Sequence, residues 1–381
     1  MRKALTRSAA AFAVATLCSG AASALDLSTA GFVTYGDTQS YALALLNYQA
    51  VGGNNPGDPY YVNSSPGAIK NLVVVATGAS GTDLNTNFLG MDNAYQTPSG
   101  KNGSPFFSTD TGTVFGANTN GATVNNNLST TWDSSVSAML SFLNGQALTF
   151  FFNNNQINSG NASLQSLAAY AQAWITAPDG TVYAPNGGTG VFDFINEKPD
   201  HVPQPYDIVP NGGGIPNGPV SAYSNVGGVH APIAGTNAAT DYVLSGGQIC
   251  VDSAGNFVDC SSASAVIKAN NNLGANQAAY ALIVPELNAE LATLVGNPNA
   301  SQYTLHVNVW LGCDPSIPAN MVDTVCNSQP WGRSLNNGYE QIFIAGLNQV
   351  INVPEPGTLA LIGLALAGLG FTVYRKGRAR S

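Results

Sequence analysis

The chain has 381 residues, a formal net charge of −9 and only 9% charged residues, against roughly 25% in an average soluble domain. Its 44% hydrophobic content is too high for a disordered chain, and its many glycines follow no triplet period, which excludes collagen. Between positions 25 and 353 the chain has five basic and 20 acidic residues, which gives a formal charge of −15. It lacks the clustered Lys and Arg that nucleic-acid binding needs.

Residues 1–24 have the organisation of a secretory signal peptide. Basic residues open the segment, a short apolar run follows, and Ala22-Ser23-Ala24 forms an A-x-A cleavage site. The apolar run is too short to cross the roughly 30 Å of a bilayer core, which argues against a permanent N-terminal anchor. We therefore expect export through the Sec machinery and a mature chain that begins at Leu25.

Alternating apolar residues predict that the exported body, residues 25–352, consists mainly of β-strands. The patterns run through residues 71–77, 148–152, 174–176, 181–183, 303–311 and 339–345. The third and fourth of these strands are expected to form a hairpin that turns at Pro178-Asp179-Gly180. In the strand 303–311, His306 is predicted to lie on the solvated polar face.

Helical spacing predicts two short helices, at 131–144 and 285–295, with Trp132 in the core on the first. Short helices among many strands and turns predict an all-β fold, with a β-sandwich or jelly-roll-like body. The stretch 203–219 is rich in Pro, Gly and Asn, so it is either a long surface loop or a domain boundary.

Four cysteines remain after removal of the signal peptide, and disulfides persist outside the cytoplasm. We expect Cys250 to pair with Cys260 across a turn at 253–256, and Cys313 with Cys326 across a Pro-containing loop. Four cysteines allow three connectivities, so the pairing is open. A metal site would need close ligand pairs such as C-x₂-C, which the sequence lacks, so no metal is expected at these positions.

The C-terminus has three parts in order: Pro354-Glu355-Pro356, an uncharged apolar run at 359–374, and a basic tail. The run is a marginal transmembrane helix, and the basic tail is expected to stay in the cytoplasm. The segment 353–381 resembles the PEP-CTERM sorting signal of exported proteins in Gram-negative, exopolysaccharide-producing bacteria.

The resemblance implies recognition by an exosortase-type membrane protease, with Pro354, Glu355 and Pro356 as substrate positions that catalyse nothing. Cleavage there would release the body or transfer it to another anchor, as in a GPI signal. The protein would cross the inner membrane, stay anchored transiently, and end at the cell surface or outside the cell. The alternative is a permanent C-terminal anchor.

The body lacks the common catalytic signatures. No H-E-x-x-H pair occurs, and Gly78-Ala79-Ser80-Gly81-Thr82 departs from G-x-S-x-G at its last position. The segment 83–94 begins like an EF-hand but lacks the Gly and Glu that calcium binding needs at its sixth and twelfth positions. The acidic, Asn-rich loops leave open a calcium ion bound without a fixed motif; no other cofactor is expected.

These observations predict a non-enzymatic surface or extracellular-matrix protein, associated with exopolysaccharide or biofilm. The alternative is a carbohydrate-binding module of that matrix, with Trp310 and Trp331 as stacking platforms for sugar rings. A secreted hydrolase is the third hypothesis, because a triad can be assembled from residues that are distant in the chain.

Overall fold

The structure is a computed structural model and describes residues 25–35, 37–69, 72–78, 84–98, 106–110, 112–114, 126–153, 155, 169–194, 248–253, 263–270, 277–312, 335 and 340–347. The predicted signal peptide, the stretch 203–219 and the sorting segment 353–381 lie outside these residues. Within the described ranges, no helix is both long enough and apolar enough to cross a membrane.

The described part of the chain is mostly sheet, which confirms the predicted all-β class. Its strands are β1 (Val33–Tyr35), β2 (Thr38–Ala42), β3 (Val73–Thr77), β4 (Tyr95–Gln96), β5 (Phe106–Ser108), β6 (Thr113–Val114), β7 (Trp132–Ser135), β8 (Ala147–Asn153), β9 (Ala169–Thr176), β10 (Val191–Asp193), β11 (Gln248–Val251), β12 (Ile267–Asn270), β13 (Tyr280–Ile283), β14 (Thr304–Gly312) and β15 (Gln341–Leu347). The strands predicted near 71–77, 148–152, 303–311 and 339–345 are β3, β8, β14 and β15.

Two open sheets contain most of these strands. The larger has eight strands in the order β1-β2-β13-β8-β15-β3-β4-β6, and only the β3–β4 pair in it is parallel. The smaller has the order β10-β9-β14-β5, with β7 also paired to β14. The strands β11 and β12 form a separate antiparallel pair. Strands that are distant in the chain are therefore neighbours in both sheets.

The described helices are α1 (Leu43–Val51), α2 (Val136–Leu143) and α3 (Pro285–Thr293), with single helical turns at Pro66–Ile69 and Ala300–Gln302. The predicted helix 285–295 is confirmed as α3, which Pro285 opens because its fixed φ suits a first turn. Helix α1 was not predicted. It follows β2 without a loop and ends at Gly52, which adopts a left-handed conformation with φ +73°.

The predicted helix 131–144 is wrong over its first residues, because β7 occupies Trp132–Ser135 and α2 begins only at Val136. Ser135 accepts a hydrogen bond from the backbone N–H of Ala138 and so caps the helix. Residues 132–135 pair with Thr304–Val307 of β14 instead of continuing the helix. Trp132 is fully buried as predicted, but on a strand.

The two sheets contribute side chains to one apolar cluster. Phe150 and Leu282 of the larger sheet and Ile175 and Val307 of the smaller sheet belong to it, together with residues of α2 and α3. Phe150 also contacts Phe194 edge to face, with ring centroids 4.6 Å apart. The sheets therefore bury facing surfaces against each other.

The larger sheet is buried on its second face as well. Phe151 of β8 and Phe343 of β15 stack with centroids 5.2 Å apart in a second cluster, which includes Leu43 and Leu46 of α1. The central strand β8 is therefore buried at all seven positions. This burial explains why its sequence is apolar almost throughout and not strictly alternating.

Asn85 of the EF-hand-like segment binds the backbone of β3 through its side-chain amide. Its side-chain oxygen accepts from the Val74 backbone N–H at 2.7 Å, and its Nδ2 donates to the Val74 carbonyl at 2.7 Å and to the Asp92 carbonyl at 2.8 Å. The amide thus pairs with the backbone of β3 as a neighbouring strand would. Asn85 has φ +69°, a conformation that Asn tolerates better than most residues.

Candidate functional site

Four polar side chains from distant parts of the chain meet in the interior beside the smaller sheet. They are Asp92, Asp133, Thr176 and His306, and we call them the Asp–His cluster. Asp92, Asp133 and His306 are 0% exposed and Thr176 is 6% exposed. Buried carboxylates are rare in proteins unless they are paired or well hydrogen-bonded.

Strand register brings these residues together. His306 of β14 lies opposite Asp133 on one side and opposite Trp174 on the other, because β14 pairs with both β7 and β9. Thr176 lies two residues beyond Trp174 on β9, so its side chain points to the same face of the sheet. Asp92 reaches the group through its backbone N–H, which donates to the Asp133 carbonyl at 2.8 Å.

The His306 ring is held at both nitrogens. Nδ1 lies 2.7 Å from Oδ1 of Asp133, and Nε2 lies 2.8 Å from Oγ1 of Thr176. An ionised carboxylate only accepts, so the hydrogen-bond partners assign the proton to Nδ1. In the neutral ring Nε2 then accepts from the Thr176 hydroxyl. Trp174 stacks on the imidazole with centroids 5.2 Å apart and an interplanar angle of 24°.

The two carboxylates receive further donors from the segment before β7. Asp133 accepts from Thr131 Oγ1 and from the Leu128 backbone N–H, each at 2.6 Å. Asp92 accepts from Nδ2 of Asn127 at 3.1 Å and from the Asp133 backbone N–H at 3.1 Å. Hydrogen bonds of this kind are what allow an ionised or neutral carboxyl group to remain buried.

Burial and the nearby carboxylate of Asp133 raise the pKa of Asp92 to about 8, although its hydrogen bonds act in the opposite direction. Burial and then the Asp92 charge also raise the pKa of Tyr95. Asp92 therefore carries a proton in the folded protein at neutral pH. The cluster avoids two adjacent buried negative charges in this way.

The order Thr176–His306–Asp133 is that of a nucleophile, a base and an orienting acid. The arrangement is sealed, however, because neither His306 nor Asp133 is exposed and Trp174 covers the ring. A substrate would have to displace packed side chains to reach the Thr176 hydroxyl. The hydrogen bonds of His306 join side chains from the three strands β7, β9 and β14.

The cluster also lacks the character of a cation site. Its carboxylate oxygens already receive N–H and O–H donors, whose partial positive charge opposes a cation in the same place. Within the described ranges, no group of three or more His, Cys, Asp or Glu residues is placed to hold a metal ion. The described residues therefore contain no such ligand group for the loop calcium ion that the sequence left open.

An apolar cavity of about 20 Å³ lies between the two sheets. Phe150, Phe152 and Leu282 line it from the larger sheet, and Val307 and Val309 from the smaller one. Pockets that bind organic ligands have volumes of roughly 300–1,000 Å³, so this cavity is a packing defect and offers no ligand site. Its purely apolar lining also favours a dry cavity.

The structure corrects one predicted position and locates two others. His306 was predicted to be solvated, but it is fully buried, because Trp174 stacks on its ring and Asp133 and Thr176 bind its two nitrogens. Trp310 lies half-buried on the same face of β14, opposite Ser108 of β5. Cys250 lies in β11 opposite Lys268 of β12.

The remaining site predictions lie outside the described residues. They concern Cys260, Cys313, Cys326, Trp331, Pro354, Glu355 and Pro356. The two disulfides and the Trp331 platform therefore stay predictions.

Sequence reasoning missed Asp92, Asp133 and Thr176. Sequence separations of 173 residues between His306 and Asp133 and of 130 between His306 and Thr176 leave no local motif. The sequence around Asp133, Ser129 to Ser135, is polar except for Trp132, so it gives no local signal of a buried carboxylate.

Comparison with known families accounts for most of the chain. Residues 24–310, about three quarters of it, match the family described as "Domain of unknown function (DUF8239)". The chain belongs to the DUF8239 family. The match includes all four residues of the Asp–His cluster. No curated protein matches the chain, and no solved structure does either.

The C-terminus of this DUF8239 protein gives a second match. Residues 352–376 match the PEP-CTERM protein-sorting motif, which confirms the resemblance carried by Pro354-Glu355-Pro356 and the apolar run behind it. The match is confined to that segment. It marks the chain as an exported, surface-directed protein that is sorted by an exosortase.

Proposed function

We propose that this DUF8239 protein is a non-enzymatic component of the cell surface or of the extracellular matrix, associated with exopolysaccharide. It crosses the inner membrane through the Sec machinery, is anchored transiently by 359–374, and is trimmed by an exosortase-type protease. The PEP-CTERM match carries the proposal, because a sorting signal determines where the body works.

The described body supports a structural role. Its one relay-like arrangement within the described ranges is sealed from solvent at His306 and Asp133. The apolar cluster shared by the two sheets supports the more specific β-sandwich prediction, an architecture that serves as a rigid module in many exported proteins. The excess of acidic residues keeps such a module soluble.

The sorting step is tested by changing Pro354, Glu355 and Pro356 together to alanine and following the protein in membrane, surface and culture fractions. We expect the uncleaved form to accumulate in the membrane. The matched control is Gly377→Ala, which lies beyond the matched segment and should leave processing unchanged. Unchanged processing in the triple variant would remove the exosortase step from the proposal.

The non-enzymatic assignment is tested with a reactive fluorophosphonate probe for activated hydroxyl nucleophiles. We expect no labelling of the protein that depends on Thr176 or His306. Labelling lost in both Thr176→Val and His306→Gln, but kept in Thr181→Val, would contradict the assignment, since Thr181 is an exposed turn residue.

Carbohydrate binding is the second candidate function, and the half-buried position of Trp310 on a sheet face favours it. Aromatic rings partly open to solvent are suited to stacking. A glycan array should then give binding that is lost in Trp310→Ala and kept in Tyr183→Ala, a half-buried aromatic residue elsewhere. An inert array would count against this function.

We also propose the disulfides Cys250–Cys260 and Cys313–Cys326, as local staples of the exported body. Peptide mapping without reduction should recover both linked pairs from exported protein. Free thiols at all four positions would contradict the pairing.

A calcium ion in the acidic loops would show as a thermal stabilisation that a chelator reverses.

A further inference from the structure

We propose that residues 126–131 form a pH-operated strap over the Asp–His cluster, closed while Asp92 is protonated and opened when Asp92 is ionised. The proposal concerns a conformational property of the body and does not depend on the function proposed above. It rests on how this segment is fastened and on the charges beneath it.

The strap is fastened to the cluster from one end to the other. Asn127 donates to Asp92, and the backbone N–H of Leu128 and the hydroxyl of Thr131 donate to Asp133. The strap is therefore tied to both carboxyl groups. The Asn127 bond by itself favours ionised Asp92, so opening is driven by burial of the charge and by repulsion from Asp133.

Tyr95 supplies a further anchor, since its single hydroxyl proton is shared between the carbonyls of Thr131 at 3.1 Å and Ser129 at 3.3 Å. Asn126 adds a more distant contact through its Nδ2, which donates to the Ala177 carbonyl at 3.0 Å. The four residues Asn126, Leu128, Ser129 and Thr130 are exposed, whereas Thr131 is buried. The strap thus forms the solvent side of the cluster, and its movement would admit water to the carboxylates.

The groups that face Asp92 cannot neutralise a negative charge on it. Asp133 of β7 repels it, and His306 of β14 is already bound to Asp133. Tyr95 of β4 and Asp110 are further titratable groups near the cluster, and neither can carry a positive charge. The described hydrogen bonds bring no Lys or Arg to either carboxylate. Ionised Asp92 would therefore leave two buried negative charges side by side, which hydration would relieve.

Proton linkage gives the sign and size of the effect. The pKa of Asp92 is raised to about 8 in the closed state, and it returns towards its ordinary value of 3.8 when water reaches it. Closing then takes up a proton between those values. The opening equilibrium should rise by about tenfold per pH unit between roughly pH 5 and pH 8 and level off above that range.

The test is hydrogen exchange of the full chain between pH 5 and pH 9, read by mass spectrometry and corrected for intrinsic rates. Peptides that cover 126–131 should lose protection by about tenfold per pH unit up to about pH 8. Peptides from β8 should remain protected far longer, since they exchange only by larger opening. Strap protection that does not change with pH, or that equals the protection of β8, would overturn the proposal.

Variants separate the strap from general destabilisation. Asp92→Asn cannot ionise and should keep the strap protected across the whole range, whereas Asp179→Asn, at an exposed turn, should reproduce the unmodified profile. Asn127→Ala removes one anchor and should loosen the strap about fivefold at pH 6, where Asp92 stays protonated. A pH profile retained in Asp92→Asn would assign the effect to another group and contradict the proposal.

Discussion

The two carboxyl groups of the Asp–His cluster should respond in opposite ways to the same substitution. Asp92 keeps its proton in the folded protein up to about pH 8, whereas the unfolded chain loses it near pH 3.8. Between these values the folded state binds more protons, so stability falls by up to about 1.4 kcal/mol for each pH unit of increase. From pH 5 to pH 8 this single group accounts for a loss of up to about 4 kcal/mol.

Asp92→Asn abolishes that loss, because an amide does not ionise and its oxygen still accepts from the Asp133 backbone N–H. We compare the free energy of unfolding of the variant with that of the unmodified protein at each pH. The difference should shift in favour of the variant by about 2–4 kcal/mol from pH 5 to pH 8. Urea unfolding followed by tryptophan fluorescence measures it, since Trp132 is fully buried in the folded state.

Asp133→Asn should destabilise the protein at both pH values. Both Asp133 oxygens accept hydrogen bonds, from Thr131 and His306 at Oδ1 and from Leu128 at Oδ2. An amide places an N–H₂ group against one of these donors, and a buried unsatisfied donor costs about 1–3 kcal/mol. The reasoning is refuted if Asp92→Asn keeps the pH dependence of the unmodified protein, or if Asp133→Asn is as stable as it.

Three further substitutions test other parts of the fold by the same urea assay. Burial raises the pKa of Glu290 to about 7, so the free energy of unfolding should fall as pH rises from about 4.5 to 7. The difference in this free energy between Glu290→Gln and the unmodified protein should therefore shift in favour of the variant by about 1–3 kcal/mol from pH 4 to pH 8. Asn288→Ala orphans the backbone N–H and carbonyl of Leu148, which the Asn288 amide binds at 2.7 and 3.0 Å, and should cost about 2–4 kcal/mol. Gly190→Ala should cost about 1–3 kcal/mol, because Gly190 has φ +66° and a Cβ would lie 2.8 Å from Val182; equal stability in any of these pairs would contradict the corresponding contact.

Local sequence rules predicted the elements whose cause is local. The strand 303–311 and the helix that Pro285 opens were predicted because periodicity and a capping residue act over a few positions. The helix predicted at 131–144 failed at its start for a tertiary reason. Its first residues pair with β14. This pairing with a distant strand outweighs the helical spacing of Trp132 and Val136, on which the prediction was based.

The candidate site was beyond the reach of the same rules. His306 looked solvated because alternation along a single strand assigns one face to water. The tertiary structure buries this face at His306, where Trp174 stacks on the ring and Asp133 and Thr176 bind its two nitrogens. The raised pKa of Asp92 likewise has tertiary causes, first its burial and then the charge of Asp133, 41 positions away in the chain.

The sequence by itself determined the destination of this protein and its broad class. The sorting motif and the strand patterns are linear features, because a sorting enzyme reads a short segment and periodicity reflects neighbouring positions in the chain. Tertiary structure alone decided which polar residues become buried partners. Hydrogen bonding and charge act through space, and the contacts of Asp133 with Asp92 and His306 exist only after the strands have paired.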